Sequence, residues 1–226
     1  MFGFGSWGRA KEVTLGQAEH SAAADGGDMA KGGLATGMVA GTQVATSMGW
    51  RPVEGVIPGD RVLTFDGGMQ EVVAVERGHL WSSPTACPRH LWPLRVGKGV
   101  LGNRTETMLL PEQVVMIEAD CAEDVLGDPF VLIPAAALAE CAGVELVAMP
   151  REVDVITLRF ADDQVVFANM GVLFFCPAKR AVTEMIDMAH TTGAPAYAPL
   201  PLDQAEALLT LIETGADTAL WGAMPE

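Results

Sequence analysis

Basic residues are scarce in this chain: Lys and Arg together number 14 of 226 residues, against 29 Asp and Glu, and the formal net charge is -15. Because such a charge repels phosphate backbones and anionic membrane surfaces, we expect no nucleic-acid partner. Long apolar runs are also missing. The most apolar stretch, 129–147, contains Pro134 and is interrupted by Glu140 and Glu145. We therefore predict no membrane span.

Cysteines are few and widely separated, at positions 87, 121, 141 and 176, and no two form a C-x-x-C pair. This usage favours a reducing compartment and buried thiols over a disulfide framework. The N-terminal 26 residues carry no apolar block of the kind that a Sec signal peptide needs. We predict a cytoplasmic location, with association with an assembly or a non-Sec export route as the alternatives.

The sequence contains few patterns of the kind that bind a metal or a cofactor. Cys87 and His90 form one C-x-x-H pair, but two ligands do not make a zinc site and no second pair completes it. We expect no metal and no cofactor. Trp50, Trp81 and Trp92 are expected to fill the core of a small β domain, as buried aromatic side chains usually do.

Composition divides the chain into three parts. Residues 1–36 are rich in Gly, Ala and Ser and lack a sustained apolar period, which predicts a flexible arm. Residues 37–178 alternate short apolar runs with turn residues, which predicts a mainly β domain. Residues 179–226 carry apolar residues at helical spacing, which predicts a small helical tail.

Local patterns place individual elements within this division. We predict hairpin turns at 66–68 (DGG) and at the Asp162-Asp163 pair, and one short helical interruption near 134–141. Helices are predicted at 179–189 and 203–214. The predicted strands are 42–45, 61–65, 71–75, 91–96, 108–117, 130–133, 144–149, 153–160 and 164–168.

Four stretches near the start of the β part resemble the opening of a Hint (Hedgehog and intein) domain, of the bacterial type common in alphaproteobacteria. They are 40–46 (AGTQVAT), 49–54 (GWRPVE), 58–64 (PGDRVLT) and 66–68 (DGG). Later stretches extend the likeness, so that it covers roughly 37 to 211. The resemblance implies an irregular all-β autoprocessing fold.

The resemblance also implies a chemistry whose reactive groups are missing here. In the family a Cys or Ser four residues before the Gly of Gly-Thr attacks the preceding carbonyl, and this position is Gly37. A His that gives a proton to the departing amide nitrogen is replaced by Gln113, and a nearby hydroxyl residue by Leu110. If the likeness holds, Gly37, Thr42 and Gln113 converge, with Gln113 within roughly 8 Å of the Gly37 backbone.

These substitutions predict a catalytically degenerate Hint-like domain that acts as a structural or protein-interaction module. One alternative is a self-processing domain that releases its own arm with a substituted nucleophile, for which Thr42 and Thr46 are the nearby hydroxyls. Another is a component of a larger bacterial particle or secreted assembly, with the arm as a docking strand. A protein partner is expected in the first hypothesis, but its identity and the oligomeric state are not set by the sequence.

Overall fold

The computed structural model describes residues 36–81, 87–148, 152–179 and 197–213. Its strands are short, as the frequent Gly, Pro and Asp turns predict. The strands are β1 Met38–Val39, β2 Gln43–Thr46, β3 Gly49–Pro52, β4 Arg61–Thr64, β5 Gly68–Glu71, β6 Ala74–His79, β7 Leu94–Val96, β8 Thr107–Leu109, β9 Val114–Glu118, β10 Phe130–Pro134, β11 Val144–Leu146, β12 Asp154–Arg159, β13 Gln164–Ala168 and β14 Val172–Cys176.

Helical structure is limited within the same residues. The α-helices are α1 Asp120–Leu126 and α2 Leu202–Leu211, and 3₁₀ helices occupy Val53–Gly55, Arg89–Leu91 and Ala135–Glu140. No helix in this described part has the length and apolar character needed to cross a membrane. The prediction of a mainly β chain with a small helix near its end is confirmed.

The described strands form two antiparallel sheets. The first has the order β11-β7-β8-β1-β12-β6, and the second has the order β10-β9-β14-β13-β2-β4-β5 with β3 paired to β2. The two-residue strand β1 lies inside the first sheet, where Met38 is paired with Leu109 of β8 and with Ile156 of β12. The residue that precedes β1, Gly37, is therefore held at the middle of a sheet.

One hydrophobic cluster joins both sheets and the C-terminal helix. It includes Leu158 from the first sheet, Phe174 from the second and Leu208 from α2, all buried. Burial of a large apolar side chain stabilises a fold by about 1.5–3 kcal/mol. The helix is thus packed into the core of the β domain, and its apolar stripe of Ala205, Leu208, Leu209 and Ile212 is the one that the sequence predicts.

Turn predictions had mixed outcomes. The hairpin at 66–68 is confirmed, because β4 pairs with β5 across it. The hairpin at Asp162-Asp163 is wrong: β12 pairs with β1 and β6, whereas β13 pairs with β14, β2 and β4. This turn carries the chain from one sheet to the other, and buried Phe160 follows β12 into the shared core.

Several other elements also differ from the prediction. The predicted strand 108–117 is broken into β8 and β9 by a turn. In this turn the backbone N–H of Gln113 donates to the Leu110 carbonyl, and Pro111 stands at the second position. Helix α1, Asp120–Leu126, was not predicted. The expected 71–75 strand is divided between β5 and β6, and the expected helix at 179–189 lies almost wholly outside the described residues.

The tryptophans do not fill the core as expected. Trp50 is 42% exposed on β3, which pairs only with β2 among the described strands. Trp81 and Trp92 are half-buried. The core is filled by aliphatic side chains together with Phe160 and Phe174.

Candidate functional site

The backbone at Gly37 has no room for a side chain. Its φ is +125°, in the region that L-amino acids avoid. A Cβ placed there would lie 2.6 Å from Val155 Cγ1 and 2.9 Å from Thr157 Oγ1. Both neighbours lie on β12, the strand that pairs with β1. Glycine is therefore demanded at this position by conformation and by packing.

Gln113 meets Gly37 across 76 positions of sequence. The Gly37 N–H donates to Gln113 Oε1 at 2.8 Å, and the Thr36 hydroxyl lies 3.4 Å from the same oxygen. The Gln113 side chain is 3% exposed. The expected approach of Gln113 to the Gly37 backbone is confirmed, and it places a primary amide against the peptide nitrogen that joins residues 36 and 37.

The side-chain nitrogen of Gln113 donates both of its protons to backbone carbonyls. Nε2 donates to the Val114 carbonyl at 2.7 Å and to the Phe175 carbonyl at 3.0 Å. The β9–β14 pairing ends with Phe174 opposite Val115, so the side-chain amide continues the ladder one residue beyond its last backbone pair. Gln113 thereby connects the start of β1 to the adjoining ends of β9 and β14 in the second sheet.

Leu110 lies beside this bridge in an entirely apolar setting. It is fully buried in a small cluster with Val39, Leu80, Val153 and Val155. A hydroxyl at this position would need a hydrogen-bond partner, since burial of an unpaired polar group costs about 1–3 kcal/mol. Packing explains a leucine here without reference to chemistry.

The two neighbouring hydroxyls are already bound to backbone carbonyls. Thr42 Oγ1 donates to the Val39 carbonyl at 2.7 Å, and Thr46 Oγ1 donates to the Gly49 carbonyl at 2.7 Å. Both residues are 5% exposed. Of the three residues expected to converge, Gly37 and Gln113 touch, whereas the Thr42 hydroxyl is directed to the turn after β1. These threonines stabilise turns.

A second buried polar network ties the far ends of several strands together. Asn169 Oδ1 accepts from the Gln43 N–H at 2.8 Å, and its Nδ2 donates to Thr107 Oγ1 at 2.9 Å. Nearby Asn103 donates to the Gly97 and Thr105 carbonyls. The Asn169 side-chain nitrogen is occupied as a hydrogen-bond donor and serves to fix the β13–β14 turn.

The Cys87 and His90 pair does not assemble into a metal centre. Cys87 is half-buried with its Sγ 3.7 Å from the Pro88 carbonyl, burial raises the pKa of its thiol, and His90 is exposed. Within the described ranges, no group of three or more His, Cys, Asp or Glu side chains is arranged to hold a metal ion.

Comparison with known proteins identifies the family of the fold. Residues 36–173 match the profile of the Hint domain. The chain belongs to the Hint domain family. The match begins one residue before Gly37 and so includes the peptide bond on which the Gln113 amide is fixed. A comparison with curated proteins found no match.

Solved structures similar to this Hint domain are inteins and intein-like domains. A bacterial intein-like domain from Clostridium thermocellum is 15% identical with a TM-score of 0.45, and the match covers 62% of this chain and 98% of that domain. The MchDnaB-1 intein is 16% identical with a TM-score of 0.39, covering 62% and 99% respectively. The gp41-1 intein is 14% identical with a TM-score of 0.37, covering 61% and 97%.

Sequence reasoning missed the residues that close the site around Gly37. Val155 and Thr157 face the absent side chain, and the Phe175 carbonyl takes one proton of the Gln113 amide. The alternation of apolar residues in β12 signals a strand, but it does not say which strand pairs with it. That pairing alone places Val155 and Thr157 against residue 37.

Proposed function

We propose that this Hint domain leaves its own chain intact and acts as a structural or protein-interaction module. The observation that carries the proposal is the geometry of Gly37, which stands where the resemblance expects a nucleophile. A thiol or hydroxyl at this position would need a Cβ 2.6 Å from a valine methyl carbon. With no attacking atom, the acyl shift that begins autoprocessing has no first step.

Proton transfer supports the same proposal. Departure of the residue-37 nitrogen requires a donated proton, but the Gln113 atom that faces this nitrogen is an oxygen acceptor. Both protons of the Gln113 amide are directed to other carbonyls. An amide nitrogen also does not exchange protons near neutral pH as an imidazole does.

The organisation of the module follows from the same geometry. We propose an arm at 1–36, a β domain at 37–178 and a C-terminal tail at 179–226 whose helix α2 is packed on the β domain. Support comes from the buried Leu208 and Leu209, which share one apolar cluster with both sheets. A partner would then bind a single rigid body rather than two separately moving parts.

Intact-mass analysis tests the proposal. The full chain is incubated at neutral pH alone, with dithiothreitol and with hydroxylamine, which capture thioesters and esters. We expect one species of the full mass under all three conditions. The sequence contains no Asn-Gly pair that hydroxylamine would cleave, so any cut reports an activated acyl bond. A fragment that begins at residue 37 would overturn the proposal.

Variants that lack one hydroxyl test the alternative in which the domain cleaves its own chain. Thr42→Val and Thr46→Val each remove one candidate nucleophile while they keep the β-branched shape. If either hydroxyl attacked a carbonyl, the wild-type chain would give a fragment and the matching valine variant would not. We expect full-mass protein from all three chains.

A further inference from the structure

A cavity of about 450 Å³ lies on the second sheet, away from Gly37. Its walls come from the β4–β5 turn, from the start of β10 and from the segment that precedes α2. Met116 and Leu132, both nearly buried, form an apolar base. Phe65, Phe130 and Tyr197 add three aromatic rings to its lining.

Each of these three aromatic rings packs against another ring, in two separate pairs. The Phe65 and Phe130 ring centroids lie 4.9 Å apart at an interplanar angle of 63°, which is an edge-to-face arrangement. Tyr197 makes a similar contact with Phe175, at 5.9 Å and 62°. Such rings attract a cation placed over a face.

Two exposed carboxylates stand among these rings. Asp66 accepts a hydrogen bond from the Tyr197 hydroxyl, and Asp128 Oδ1 accepts from the Phe130 N–H at 2.8 Å. Burial, followed by the Asp66 carboxylate, raises the pKa of Tyr197, so its hydroxyl stays protonated at neutral pH. None of the described residues that line the cavity is a lysine or an arginine.

We propose that this cavity binds an arginine side chain carried by an extended segment of a partner protein. The inference deepens the proposed function and rests on it, since it names a surface and a partner chemistry for the interaction module. A planar guanidinium stacks flat on aromatic rings and presents five N–H donors to carboxylates in a rigid fork, whereas an ammonium is a compact point charge that does not stack. The cavity exceeds one guanidinium in volume, so an apolar neighbour in the same segment is seated on Met116 and Leu132.

Fluorescence anisotropy with a labelled pentapeptide that alternates leucine and arginine tests this site on the full chain. Matched peptides carry citrulline or lysine in place of arginine. We expect the citrulline peptide, which keeps the shape and loses the charge, to bind about tenfold more weakly or not at all, and the lysine peptide to bind more weakly than the arginine peptide.

Three variants locate the binding to the cavity. Asp66→Asn and Asp128→Asn remove charge but keep the oxygen that accepts from Tyr197 or Phe130, and each is expected to raise Kd about threefold or more. Asp124→Asn removes the same charge from an exposed position on α1 outside the lining, and we expect Kd to stay within about twofold.

Each outcome decides the inference. Equal binding of the citrulline peptide, equal binding of the lysine peptide, equal loss in Asp124→Asn, or no binding of any peptide would overturn it. Intact mass is recorded on the same sample. Full-mass protein that binds no arginine peptide would contradict the arginine site and would not affect the proposed function. A fragment that begins at residue 37 would contradict the proposed function whatever the peptide binding.

Discussion

Gln113→Leu offers the sharpest test of how the centre of this Hint domain is held together. The substitution keeps the side-chain volume and removes every side-chain hydrogen bond. Three backbone groups then lose the Gln113 side chain as a partner: the buried Gly37 N–H and the part-buried carbonyls of Val114 and Phe175. At about 1–2 kcal/mol for each unsatisfied group, the free energy of unfolding falls by about 3–6 kcal/mol.

Urea unfolding followed by tryptophan fluorescence measures this change, with equal m-values as the condition for comparison. The matched control is Gln70→Leu, which removes a half-buried glutamine whose side-chain amide donates to the Gly67 carbonyl in a solvent-exposed hydrogen bond. We expect the control to change stability by less than about 0.5 kcal/mol. A loss below about 1 kcal/mol in Gln113→Leu would refute the bridging role of Gln113.

Gln113→Glu extends the same test with pH as the variable. An ionised carboxylate still accepts from Gly37 but faces the Val114 and Phe175 carbonyl oxygens without a proton to donate. The fold therefore raises the pKa of the introduced carboxyl above its unfolded value of about 4.3. The variant's stability relative to wild type is highest below that pH and is lost as pH rises through the folded-state pKa. A pH-independent difference would contradict the assigned contacts.

The other predictions concern Gly37, the buried thiol and the missing chemistry. Gly37→Ala should cost about 1–3 kcal/mol more in urea unfolding than Gly41→Ala, because both have positive φ but only the first Cβ meets other atoms. Burial raises the pKa of Cys176 to about 12, from 9.0, so the stability that depends on its neutral thiol is present below pH 9 and is lost as pH rises towards 12; Cys176→Ala should lessen this alkaline loss in pH-dependent unfolding. The combination of Gly37→Cys, Gln113→His and Leu110→Thr should give soluble protein that is less stable than wild type and shows, by intact mass, at most weak dithiothreitol-dependent cleavage before residue 37; efficient cleavage would contradict the steric argument.

Elements with a local cause were predictable from the sequence. The Asp66-Gly67-Gly68 turn, the short helical piece after Pro134 and the stripe of α2 each depend on residues within a few positions of one another. The assignment of strands to sheets was not predictable in this way. Asp162 and Asp163 have the composition of a hairpin turn, but turn composition does not determine whether the next strand returns beside the last or crosses to another sheet.

The site was predictable only in part, and for a similar reason. The approach of Gln113 to Gly37 came from the resemblance, since nothing local links residues 76 apart. The obstruction at Gly37 arises from the register of β1 on β12, which no local pattern encodes. Helix α1 was missed because it is only seven residues long, too short to show a sustained apolar period, and only Ala122 in it is buried.

The residues at positions 37 and 113 are physically coupled through the hydrogen bond between them. With a glycine of φ +125°, β12 approaches so closely that Val155 and Thr157 occupy the space of a side chain. The Gly37 N–H is satisfied by the Gln113 side-chain oxygen, and the protons of the same amide bind the Val114 and Phe175 carbonyls of the second sheet. An imidazole at position 113 has only two nitrogens for the four contacts that the glutamine makes, and a thiol at position 37 collides with β12. Gly37 and Gln113 are therefore each part of the packing that the other requires, and together they join the two sheets.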